Sequence, residues 1–95
     1  MTNYELMFIV DSTLEDSAKE QTVETVKGII ADNGEIIKAD IWGMKKLAYP
    51  IKKKNEGYYT LVEFKANEDF PKELDRRLKI SDNIIRHMII NKDEK

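Results

Sequence analysis

Hydrophobic and polar positions alternate from the start of the chain. Over residues 4–10, Tyr4, Leu6, Phe8 and Val10 fall on one side and Glu5, Met7 and Ile9 on the other, the period of a strand. Both sides are largely apolar, so the pattern predicts a central strand whose second face is partly covered. Asp11, Ser12 and Thr13 then signal a helix start, with Ser12 and Glu15 at capping-box spacing and Glu15 and Asp16 suited to the positive end of the helix dipole. Leu14, Ala18, Thr22, Val26, Ile29 and Ile30 form a stripe at helical spacing. Asn33-Gly34 ends the helix, with Gly34 expected as a left-handed cap.

Residues 35–49 read as a long extended segment, with Ile36, Ile37, Ile41, Trp42, Leu47 and Tyr49 as its apolar positions. Gly43 predicts a bulge or bend, and Pro50, which lacks an N–H, predicts an edge strand. Residues 50–57 read as a polar loop. In residues 58–66, Thr60, Val62, Phe64 and Ala66 share one face, and Tyr59, Leu61, Glu63 and Lys65 share the other. Asp69 and Pro71 open a second helix whose apolar side holds Leu74 and Leu78, and Ser81-Asp82-Asn83 breaks it. Residues 84–90 form the last strand, and residues 91–95 are expected to fray. The order βαββαβ predicts an α+β, ferredoxin-like sandwich: a four-stranded antiparallel sheet with two helices on one face and the other face bare. With 95 residues the chain is read as one domain, residues 1–95.

Composition narrows the function more than it changes this picture. A charged fraction of 36% makes most of the surface ionic. The absence of cysteine excludes a disulfide scaffold and a thiolate metal site, and fits a reducing cytosol. No apolar run approaches the length of a membrane span, and no signal-type stretch opens the chain. His87, the only histidine, has no second imidazole or thiol with which to hold zinc, and its place on an alternating strand gives it a structural reading. Neither a nucleophile elbow nor a phosphate-cradling glycine loop is present. Catalysis, a metal, a cofactor and a small-molecule substrate are therefore not expected.

The net charge of −2 speaks against a protein coated with nucleic acid, but the charges are segregated. Residues 44–54 carry five lysines, Lys45, Lys46, Lys52, Lys53 and Lys54, and no acid. Residues 14–24 are acid-rich, with Glu15, Asp16, Glu20 and Glu24 against Lys19. Lysines neutralise phosphates, and Trp42, Tyr49, Tyr58 and Tyr59 could stack on unpaired bases. A lysine run is more commonly a solvated face, so this signal alone is weak. The RNA-recognition motif shares the topology, but its third-strand signature fails here: an acid, Glu56, precedes Gly57, and Val62 and Phe64 arrive one position late.

The segment Trp42-Gly43-Met44-Lys45-Lys46-Leu47-Ala48-Tyr49-Pro50-Ile51, followed by Glu56-Gly57-Tyr58-Tyr59, resembles the hallmark of the family of the sixth protein of the bacterial small ribosomal subunit. Tyr4-Glu5 resembles that family's opening, and Asp82-Asn83-Ile84-Ile85-Arg86-His87-Met88 resembles its entry to the last strand. The likeness spans essentially the whole chain. It implies a structural constituent of the small ribosomal subunit, in the cytoplasm, that pairs with the eighteenth small-subunit protein and binds the central domain of the small-subunit ribosomal RNA. Some members carry a long acidic C-terminal tail; this chain stops at Lys95, so the function of such a tail is not expected. Lys45 and Lys46 stand where many relatives have arginine, which keeps charge but weakens bidentate phosphate contact.

Strand parity assigns the surfaces. With Leu6, Phe8, Val62 and Phe64 toward the helices, Met7, Ile9, Tyr59 and Leu61 face away, joined by Arg86, Met88 and Ile90 of the last strand. Met7, Ile9, Trp42, Tyr59, Leu61 and Met88 are the expected partner-protein interface, and Lys45, Lys46, Lys52, Lys53, Lys54 and Arg86 the expected RNA contacts. The competing reading of the apolar set is a second, thinly covered core. The competing function is a regulatory or ligand-binding module on the same fold, which would show a concave pocket with convergent polar groups.

Overall fold

The computed structural model describes residues 1–51 and 54–93, with residues 48, 50, 51 and 54 described through their backbone only. These residues form β1 (Thr2–Asp11), α1 (Asp16–Asn33), β2 (Gly34–Ile51), β3 (Lys54–Ala66), α2 (Phe70–Lys79) and β4 (Ile84–Asn91). The strands form one antiparallel sheet in the order β2-β3-β1-β4. The doubly apolar β1 lies inside the sheet, and the proline-bearing β2 is an edge.

One face of the sheet is buried under both helices. Tyr4, Leu6, Phe8 and Val10 of β1, Val62, Phe64 and Ala66 of β3 and Ile84 of β4 pack with Val23, Val26 and Ile30 of α1 and Phe70, Leu74 and Leu78 of α2. Register sets the parity: Leu6 pairs with Val62 and Ile89 on the helix side, while Met7 pairs with Leu61 and Met88 on the open side. His87, opposite Phe8, also lies on the helix side. Its Nε2 is 2.6 Å from Asp75 Oδ1, and Lys79 Nζ is 2.9 Å from the other Asp75 oxygen. These contacts join α2 to β4 and hold the Asp75 carboxyl below the ordinary carboxylate range. The histidine is thus a structural residue.

Several boundaries differ from the sequence reading, each for a local reason. The capping box at Ser12 does not form. Instead Asp11 Oδ1 accepts hydrogen bonds from Thr13 N–H at 2.9 Å and the Thr13 hydroxyl at 2.7 Å. That side-chain turn competes with helix initiation, and α1 begins at Asp16 with Glu15 as an N-cap that makes no side-chain cap bond. At the other end of α1, Gly34 is extended (φ −172°), not left-handed. Glycine is needed there for space: a Cβ would stand 2.1 Å from the Lys65 carbonyl oxygen. Gly43, by contrast, does take a positive φ of 81°, where the β2–β3 register slips between Ile41 and Gly43.

The loop expected over residues 50–57 is mostly strand. Lys45 pairs with Gly57, Lys46 with Glu56 and Ile51 with Lys54. These residues project past the end of β1, where no apolar alternation is required, so their polar composition reads as loop. The first residues of the tail make specific contacts. Lys92 N–H donates to the Asn3 carbonyl, and the Asp93 carboxylate accepts from Asn3 N–H and Nδ2, fixing residues 91–93 beside β1. Residues 94–95 lie outside the described residues. On α2, Glu73 accepts from Arg76 and Arg77, which lower its pKa from 4.5 to about 2.

Candidate functional site: the open sheet face and the basic arm

The sheet face opposite the helices is organised in rows across the strands. The middle row runs Asp40, Leu61, Met7, Met88 and is apolar over its last three positions. Leu61 and Met7 are half-buried and Met88 is 40% exposed. The row toward the tail, Lys38, Glu63, Glu5 and Ile90, is ionic over its first three positions, with Lys92 Nζ reaching Glu63 at 2.9 Å and Glu5 at 4.0 Å. The row on the other side holds Gly43, Tyr59, Ile9 and Arg86. The apolar strip thus has an ionic row on one side and Tyr59 and Arg86 on the other, a make-up that suits protein docking: a centre that gains by desolvation and a rim that stays wet.

Ile9 departs from the expected patch. It is only 3% exposed, because the hairpin arm bends over it. The last β1–β3 pair is Asp11 with Gly57. Beyond it β2 and β3 pair only with each other and lean back across the open face. A Cβ on Gly57 would stand 2.2 Å from Ile9 Cγ2 and 3.4 Å from Leu47 Cδ2, so Ile9 and Leu47 converge over this glycine. Farther out, Arg86 Nη1 donates to Tyr49 Oη at 2.5 Å, and the guanidinium carbon lies 5.9 Å from the Tyr49 ring centroid. The arm therefore reaches from the β2 edge to the β4 edge. Ile9 is a footing for the arm, and its place among exposed interface residues is corrected accordingly.

Lys45 and Lys46 are exposed at the base of the arm. Lys45 Nζ lies 5.7 Å from the centroid of the Trp42 ring, itself 47% exposed. The bulge at Gly43 places that ring, since Trp42 is the residue left unpaired there. Lys52 and Lys53 lie outside the described residues, and Lys54 is described through its backbone only. Tyr58 does not join the set of stacking aromatics: it packs against the helix-side core with Lys19 Nζ 5.9 Å from its ring, while Tyr59 takes the open side. The acids Glu15, Asp16, Glu20 and Glu24 are exposed at or near the start of α1, in the helix layer. The acid-rich segment and the lysine-rich segment thus occupy different parts of the surface, and the net −2 conceals a basic arm.

The Tyr49–Arg86 contact escaped the sequence reading. Its one trace is the apolar Leu47-Ala48-Tyr49 inside an otherwise basic, exposed stretch. A pocket for the competing ligand-binding reading is poorly supported. The cleft between α1 and α2 has a volume of ≈ 260 Å³, and two of its polar groups, Thr22 Oγ1 and Asn83 Nδ2, bond to each other at 3.1 Å. Among the described residues no group of three or more His, Cys, Asp or Glu could hold a metal ion. No described helix is long and apolar enough to cross a membrane.

Comparison with known proteins supplies the family and agrees with the fold. The family model described as "Ribosomal protein S6" matches residues 3–91. The chain is 52% identical over 90 residues to the small ribosomal subunit protein bS6 of Clostridioides difficile strain 630, covering 95% of this chain and 98% of the relative. It is 50% identical to the protein of the same name from Clostridium kluyveri, with both chains fully covered. The crystal structure of 30S ribosomal protein S6 from Thermotoga maritima superposes with a TM-score of 0.92 at 36% identity, covering 97% of this chain and 88% of that one.

Proposed function

The chain belongs to the ribosomal protein S6 family, and from that premise we propose that it binds ribosomal RNA through its basic arm while its open sheet face holds a partner protein. Its class is that of a structural protein of the small ribosomal subunit, not an enzyme, and its place is the cytoplasmic ribosome. The RNA is the central domain of the small-subunit ribosomal RNA, and the partner is the eighteenth small-subunit protein.

The observation that carries this reading is an adjacency. The apolar row Leu61, Met7, Met88 lies beside the row from which the lysine-bearing arm departs. A partner seated on the row, against Tyr59 and Trp42, would stand next to any RNA backbone drawn to Lys45, Lys46, Lys52, Lys53, Lys54 and Arg86. Each macromolecule then meets a composite surface, which gives cooperative binding without a change of fold. Arg86 has five N–H donors in its guanidinium, so the one given to Tyr49 leaves others for phosphate.

Salt separates a phosphate-binding arm from a merely solvated one. Each lost phosphate contact lowers the slope of log affinity against log salt by about one unit. The variant K45A/K46A is expected to bind the RNA more weakly in the presence of the partner, with a slope reduced by about two. Filter binding at several salt concentrations reads both quantities. A slope equal to that of the unaltered protein would show that these lysines do not touch RNA.

A further inference from the structure

Tyr49 and Arg86 come from opposite edges of the sheet, β2 and β4, yet they are hydrogen-bonded and in ring-cation contact across the open face. Near the arm's root, Leu47 and Ile9 close over Gly57, where a side chain would not fit. We propose that the Tyr49–Arg86 contact is a clasp that fixes the direction of the basic arm, making both positioning residues for the RNA contacts of Lys45 and Lys46. This inference deepens the RNA-binding reading above and rests on it.

The physical case begins with the arm's weakness. Past Gly57 the β2–β3 ladder has no third strand among the described residues, and Lys46, Asn55 and Glu56 are exposed. An isolated two-stranded hairpin is marginal in water. Something must anchor this one if its lysines are to be held in one place before RNA arrives. Leu47 supplies an apolar footing at the root, and the hydroxyl and ring of Tyr49 supply a second anchor farther out. That anchor is charge-assisted, so it is stronger than a neutral hydrogen bond. The ring is 57% exposed, so its role is directional rather than that of a core residue. A pre-set arm binds phosphates without first losing hairpin freedom, which is the general advantage of preorganisation.

The test is Tyr49→Phe in the full chain, which removes the acceptor oxygen and leaves both the ring and the Arg86 charge. Hydrogen exchange on the free protein reads the clasp without reference to RNA. Arm amides of Lys46 and Glu56 are expected to exchange roughly tenfold faster, the size of one charge-assisted hydrogen bond, with Leu6 and Val62 unchanged. In RNA titrations with the partner present, the variant is expected to bind roughly tenfold more weakly with an unaltered salt slope, since no cation has been removed. Arg86→Gln, which takes the guanidinium from both the hydroxyl and the ring, is expected to accelerate exchange at least as much, and adding Tyr49→Phe to it should accelerate the arm no further. Unchanged arm exchange in Tyr49→Phe overturns the clasp. Faster exchange with unchanged RNA affinity overturns its positioning role. Failure of the unaltered protein to bind RNA at all is a distinct result: it removes the RNA reading and the positioning role together, and leaves the exchange data to judge the clasp.

Discussion

Replacing Leu61 with Glu is expected to abolish docking of the partner protein while leaving the fold in place. Leu61 occupies the middle row of the open face, paired with Met7 on one side and Asp40 on the other. A second carboxylate there would face Asp40 across the strands and would have to lose its water when a partner covered it. An uncompensated charge buried in this way costs about 3–5 kcal/mol, which corresponds to a loss of affinity of roughly two to four orders of magnitude. The helix-side core is untouched, because Leu61 points away from it. The cross-strand repulsion amounts to about 0.2–1 kcal/mol, so the thermal midpoint should move by only a few degrees, by the usual scaling for a domain of this size. Calorimetric titration with the partner, alongside a thermal melt, reads both effects. Undiminished affinity in a folded variant would refute the docking face.

The opposite face of the same strand gives the largest expected effect on stability. Phe64 is fully buried. Its ring stacks on Tyr4 with centroids 5.6 Å apart and meets the edge of Phe70 at 6.0 Å, so one side chain joins β1, β3 and α2. Phe64→Ala removes those contacts and leaves a cavity that the close-packed layer can only partly fill, at a cost of about 3–5 kcal/mol. For a domain of this size that lowers the thermal midpoint by roughly 15–30 °C. Differential scanning calorimetry measures it, and a fall of under about 5 °C would contradict the packing described.

Leu61 and Phe64 also illustrate what the sequence made legible. The period of two in β1 and β3 identified the core face and the open face correctly, because burial on one side of a sheet leaves a direct trace in composition. Element order followed from the same alternation. Boundaries were less legible where two local structures compete for the same residues. Asp11-Ser12-Thr13 can cap a helix or form a side-chain turn, and the Asp11–Thr13 bonds show that the turn won. Gly34 looked like a helix cap because glycine after a helix commonly is one, whereas its position is dictated by the Lys65 carbonyl, a residue far away in sequence. The burial of Ile9 and the Tyr49–Arg86 contact were illegible for the same reason: both depend on the arm folding back over the sheet, and no local pattern encodes that bend. Tyr58 was a different kind of miss. Adjacent strand positions face opposite sides, so Tyr58 and Tyr59 could not both have lain on the open face.

The most direct test of the central claim is a titration of the central domain of the small-subunit ribosomal RNA with this protein, with and without the eighteenth small-subunit protein, at two salt concentrations. The account predicts tight binding that weakens as salt rises and that appears only when both proteins are present. Absence of binding under either condition, by protein shown to be folded, would contradict it.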